Sequence, residues 1–254
     1  MATPGMVPRF LLLLVLAAGF LRADELADLR ARLSLLQGRD PLRATLDYSF
    51  WSRQGDENKG KVVQGKATVR IEEDAQGLEL VCPQATLEQM RQEDRANARD
   101  PEAGAPTRQA LRNMNPAALS EFVNAADRLL RDLEGAVLVE VRPESHEGVQ
   151  AQCLVLKLNP KLSAQNRKYV KDLQASCKVW LGPDGLPIGL TQEVKAKGRI
   201  FLVVSFEHSE TAERRFARLG DRLVTTYRKS ETADSGGGES GRLRETFSLA
   251  FESP

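Results

Sequence analysis

Side-chain polarity alternates with a period of two over most of this chain, and that pattern limits the possible folds more than any other feature. Leu42, Ala44, Leu46, Tyr48 and Phe50 alternate with Arg43, Thr45, Asp47 and Ser49. Gly65, Ala67, Val69 and Ile71 alternate with Lys66, Thr68, Arg70 and Glu72, and Leu78, Leu80 and Cys82 follow a turn at Asp74-Ala75-Gln76-Gly77. Successive strand side chains point to opposite faces, so such runs build an antiparallel sheet with one dry and one wet side. The pattern returns over 136–141, 149–158, 177–181, 187–197 and 199–208, in two strands joined at Gly220-Asp221, and over 242–251. About eleven strands are expected, with residues 231–241 (ETADSGGGESG) forming a flexible loop before the last.

A dry sheet face needs a cover. Leu26, Leu29, Leu33 and Leu36 recur at helical spacing within 24–37, and Gly38 is placed to end that helix. Residues 84–134 form a helical insertion. Its first helix, 84–98, has only Leu87 and Met90 as apolar anchors, and 100–106 is a linker. A stronger helix opens at Asn115-Pro116, runs along Leu119, Phe122, Val123, Ala126, Leu129, Leu130 and Leu133, and ends at Gly135. Asn159-Pro160 begins a short helical segment carrying Lys161, Arg167, Lys168 and Lys171. The expected fold class is α+β: a long curled antiparallel sheet, a half-open barrel, with a helical plug inserted after the third strand. Residues 24–254 read as one domain.

The N-terminus addresses the compartment. Arg9 precedes the uninterrupted apolar run Phe10 to Leu21, a length that suits a secretory signal better than a membrane span. Residues 1–23 are expected to be removed after Ala23, or cleavage falls after Gly19, giving a periplasmic or secreted protein with no transmembrane segment. No cysteine near that point offers a lipid anchor. Of three cysteines, Cys153 and Cys177 are the expected disulfide, on strands flanking the short basic segment, with Cys82 free. The alternative is that all three are small buried apolar residues.

Basic and acidic residues nearly balance, 36 against 35, which argues against a chain made to coat nucleic acid. Fourteen aromatic residues are too few for an aromatic-girdled membrane barrel, and Lys66, Arg70, Glu72, Glu193, Lys195, Lys197, Arg222 and Arg228 put charge on the strand face that lipid would require to be apolar. The sequence contains no GxSxG, HExxH, Walker or GxGxxG motif and no CxxC pair, so no catalytic residue, metal or cofactor is expected. His146 and His208 read as solvated surface histidines, and Glu72-Glu73-Asp74 as a solvated turn. The cations of 161–171 read as a solvated helix face, able to meet an acidic protein patch or lipid headgroups.

The order of elements, an N-terminal helix, three strands, a helical insertion and the remaining strands, resembles the periplasmic outer-membrane lipoprotein-carrier superfamily. That resemblance implies a soluble carrier of a lipidated or apolar ligand in the bacterial envelope, the ligand lying between sheet and helices. No functional residue of that family maps onto a position here. From strand parity, the cavity candidates on the sheet are Leu46, Tyr48, Phe50, Val69, Ile71, Leu190, Leu202, Val204 and Phe206, faced by Phe122, Leu129 and Leu130. A non-catalytic envelope protein–protein interaction module is the alternative.

Overall fold

The computed structural model describes residues 25–55, 60–114, 116–200 and 204–252. The expected signal segment and Leu202 lie outside the described residues. Ten strands form one antiparallel sheet: β1 (Leu42–Gln54), β2 (Lys61–Asp74), β3 (Gly77–Val81), β4 (Val137–His146), β5 (Val149–Lys157), β6 (Val170–Leu181), β7 (Pro187–Ile200), β8 (Val204–Leu219), β9 (Arg222–Gly236) and β10 (Glu239–Phe251). Their spatial order is β3-β2-β1-β10-β9-β8-β7-β6-β5-β4. The sheet is α+β in context and open, with β3 and β4 as its two edges, so it is not closed into a barrel.

Ten strands replace the expected eleven because residues 204–219 form a single strand. Its apolar signal fades where Ala212 and Arg214 take the inward positions, yet its pairing with β7 and β9 continues past them. The expected flexible loop at 231–241 is also replaced. Glu231–Gly236 and Glu239–Gly241 are paired strand ends, and Gly237-Gly238, both at positive φ, make the two-residue turn between them. Two glycines in that conformation match the twist of a hairpin, which is why the pair stops no strand.

The helices are α1 (residues 25–34), α2 (Gln84–Arg99), a 3-10 turn (Pro101–Ala103), α3 (Pro106–Asn113), α4 (Pro116–Val123), α5 (Ala125–Asp132) and the single turn α6 (Ala164–Arg167). In the chain, α2 to α5 follow β3. The long helix expected from Asn115 to Gly135 is two helices, broken at Asn124 with φ −135° and ψ 67°. The break has a packing reason. Leu119, Phe122 and Val123 of α4 join a core with β1, β2 and β10, whereas Ala125, Ala126 and Leu129 of α5 join a second core with α1, β5 and β6. One straight helix would aim both groups along a single stripe.

Burial follows strand parity. Leu42, Ala44, Leu46, Tyr48 and Phe50 are all at most 4% exposed in the first core, and Leu26, Leu29 and Leu33 of α1, with Leu36 just after it, are buried in the second. The opposite face carries cross-strand ion pairs such as Arg43–Glu72, Lys197–Glu207 and Arg244–Glu231. Exposed pairs of this kind add little stability but keep a broad sheet face wet.

Candidate functional site

The helices meet the sheet through apolar contacts and through a few polar latches. Tyr48, 1% exposed on β1, donates from its hydroxyl to Glu245 of β10 at 2.6 Å and accepts from Asn113 Nδ2 of α3 at 2.7 Å. Burial and the Glu245 carboxylate push the Tyr48 phenol up, so it stays protonated. On the other side of the centre, Arg214 of β8 donates to Asp132 of α5 at 2.9 Å, and Asp132 also accepts from Arg128 Nε at 2.8 Å. The third latch is Arg222, 1% exposed. It pairs with Glu73 of β2 and donates to the carbonyls of Asp40 at 2.5 Å and Val123 at 3.2 Å. α2 is held by less: its one buried residue is Thr86, whose hydroxyl donates to the Thr68 carbonyl at 3.0 Å.

Between the two cores, Arg214 and Arg228 stand directly opposite each other on β8 and β9. Arg228 lies 6.0 Å above the Phe247 ring, its Nε is buried without a hydrogen-bond partner, and burial followed by the neighbouring Arg214 lowers its pKa. Glu245 and Glu210 pull the other way. The expected place of Arg222 and Arg228 on the wet face is therefore overturned: Arg222 is core and Arg228 belongs to the inner side. Glu73, expected in a solvated turn, is the carboxylate that neutralises Arg222.

The cavity candidates do not surround one cavity. Leu46, Tyr48, Phe50, Val69, Ile71 and Phe122 pack together in one core, each at most 4% exposed. Leu129 and Leu190 belong to the other, with Leu130 partly buried against it. Val204 is 39% exposed and Phe206 half-buried, both far along β8 from either core. Phe50 and Phe206 reach open concavities of about 480 and 660 Å³, each lined mostly by polar residues. A further concavity, about 610 Å³, crosses the charged face between Lys178, Glu193, Glu213, Lys229 and Glu231.

The cysteine pairing is corrected by register. Cys153 faces Trp180 across β5 and β6, and Cys177 faces Leu156. Three positions separate them along the strands, an odd number, so their side chains leave opposite faces of the sheet and cannot be bridged. All three cysteines are free thiols in this structure. Burial raises the Cys153 thiol and pushes Cys177 up to about 12.

His146 is not in a solvated loop. It ends β4 and stacks on Trp180 at 4.4 Å, over Gly189, where an added Cβ would sit 2.2 Å from His146 Nε2. Trp180 donates to Glu144 at 3.3 Å, and Glu144 also pairs with Arg142 and Lys178. Arg142, donating to the carboxylate, holds Glu144 below the usual range. His208, half-buried, contacts Asp234 at 2.7 Å. Neither histidine signals this from sequence, because both partners arrive from other strands.

Among the described residues, no three His, Cys, Asp or Glu side chains are grouped to hold a metal ion, and no helix is long and apolar enough to cross a membrane. No protein-family model matches the chain, and no curated protein matches it either.

Proposed function

We propose that this protein is an exported, non-catalytic binding module that takes an apolar or acylated ligand between its sheet and its helical layer, as a half-barrel carrier does. The observation that carries this reading is the way the layer is fastened. Four short helices, α2 to α5, lie over an apolar sheet face and are joined to it by the discrete polar pairs Asn113–Tyr48 and Asp132–Arg214. A solid core needs no such pairs, since apolar packing in their place is commonly as stable. Pairs that break and remake suit a cover that lifts.

The two cores are filled, so ligand has to displace helices to enter. Apparent affinity is then the intrinsic affinity reduced by the populated fraction of the open form. Tyr48→Phe unfastens α3 without changing the shape of the apolar face. It should lower the melting temperature and tighten binding of a fluorescent fatty acid. Absence of saturable binding by both the parent and Tyr48→Phe would sink the carrier reading. Native mass spectrometry of protein taken from its own envelope fraction gives the complementary test, a co-purifying lipid or lipopeptide.

A second reading, an envelope protein–protein interaction module, rests on edge strand β4. Val137 and Val139 are 54% and 58% exposed beside an unpaired strand edge. Pro143 removes one N–H from that strand, which limits how far a partner strand could extend along it. Failure of fatty-acid binding together with loss of a partner on Val139→Lys would favour this alternative.

A further inference from the structure

We propose that Arg228 receives the anionic head of a single acyl chain, a carboxylate or a phosphate, at the seam between the two cores. This rests on the carrier reading and says what kind of ligand such a carrier takes. Register sets the place. Leu190, Arg214, Arg228, Phe247 and Tyr48 stand side by side across β7, β8, β9, β10 and β1. Leu190 belongs to one core and Phe247 and Tyr48 to the other, with the two arginines between them. Like charges directly opposite each other on neighbouring strands repel, so the pair costs stability unless anions balance both.

One of the two is balanced from within the chain. Arg214 donates to Asp132 at 2.9 Å, and Asp132 serves Arg128 as well. Arg228 is half-buried, its Nε is buried without an acceptor, and it is in no hydrogen bond or ion pair among the described residues. The carboxylates nearby are otherwise placed. Glu245 accepts the Tyr48 hydroxyl at 2.6 Å, and Glu121 takes Arg128 at the same distance. Glu210, on the same face four positions along β8 from Arg214, pulls on Arg228 without pairing with it. A guanidinium stays charged even here, and a buried charge ordinarily has a partner.

A planar fork with free N–H groups matches a carboxylate or phosphate, which accepts two parallel bonds from it. The surroundings add a tail to that head. The Phe247 ring beneath Arg228 lies 4.7 Å from Phe122 and 4.4 Å from Tyr48, so apolar surface continues from the guanidinium into one core. Leu190, beside Arg214, begins the other. An acyl chain held by its head at Arg228 has apolar surface to enter on either side once the helices lift. A bare anion gains nothing from that surface, and a neutral acyl ligand leaves the guanidinium as it stands.

The test is isothermal titration calorimetry of the full chain with decanoate, decyl phosphate, decan-1-ol and inorganic phosphate. Decanoate and decyl phosphate should bind at least about tenfold more tightly than decanol, the gain expected of a charge-assisted pair. The tighter of the two identifies the head. Inorganic phosphate should show no binding at the same concentrations. Arg228→Met should bring decanoate and decyl phosphate down to the decanol level and leave decanol unchanged. It should also keep or raise the melting temperature, because it takes an unpaired charge out of the interior. Decanol binding as tightly as decanoate in the parent overturns the proposal and leaves the carrier reading standing. So does unchanged decanoate affinity in Arg228→Met, or a melting temperature well below the parent's, which would make the guanidinium structural. Inorganic phosphate binding as tightly as decyl phosphate overturns it in favour of a free-anion site. Binding of none of the four sinks the carrier reading and this inference with it.

Discussion

Asp221 and Asp40 each cap the other's backbone. The Asp221 carboxylate accepts the N–H groups of Arg39 and Asp40 at 3.0 Å, and the Asp221 N–H donates to Asp40 Oδ2 at 2.9 Å. This clasp ties the connection after α1 to the β8–β9 turn. It also explains Gly220, whose φ is +56° and whose Cβ, if present, would sit 1.9 Å from Asp40 Oδ2.

The clasp should be sensitive to acid. The two backbone donors hold Asp221 below the ordinary aspartate value. A carboxyl depressed in the folded state contributes stability above its unfolded pKa of about 3.9, and that contribution is lost as pH falls through the lower folded value. Amides of residues 25–38 should therefore exchange faster once pH drops below about 4, and Asp221→Asn should weaken that response. Unchanged acid sensitivity in the variant would dissociate α1 from the clasp.

Arg222→Met tests the buried latch. It leaves Glu73 and the carbonyls of Asp40 and Val123 short of a partner, so denaturant unfolding should show a loss of about 3–5 kcal/mol. The double variant Arg222→Met with Glu73→Leu should recover a large part of it. No recovery would mean that the two carbonyls, and not the carboxylate, dominate.

Ala126→Trp addresses the packing of α5. Ala126 is fully buried among Leu residues of α1 and the sheet, so the added ring has no space and should cost about 1–3 kcal/mol or more. A melting temperature equal to that of the parent would reveal room between helix and sheet that the described structure does not contain.

Thiol labelling should separate the cysteines. Iodoacetamide at neutral pH should modify Cys82, the least buried, before Cys153 and Cys177, which should react only in denaturant. Peptide mapping without reductant should recover no Cys153–Cys177 crosslink.

The alternation of Leu42 to Phe50 with charged neighbours was enough to read β1, its buried face and the need for a helical cover. Parity within a strand is local, and sequence carries it. Parity between strands is not. Cys153 and Cys177 look like partners until the β5–β6 register puts them on opposite faces. Arg222 and Glu73 each look like surface charges because the ion pair that buries them spans 149 positions. The same holds for Asn124, where a helix-compatible pattern continues through a bend demanded by two cores.

β10 lies between β1 and β9, and Tyr48 reaches Glu245 across 197 positions of sequence. A chain emerging from the ribosome therefore makes β1, β2 and β3 long before the strand that completes β1 exists. Until then one edge of β1 offers unpaired N–H and C=O groups. Closing so large a loop has to precede any reward from the β1–β10 ladder, which places this protein among slow folders. The order of synthesis thus keeps the sheet unfinished until its tenth strand arrives, and for that whole interval the exposed edge of β1 has no partner within the chain.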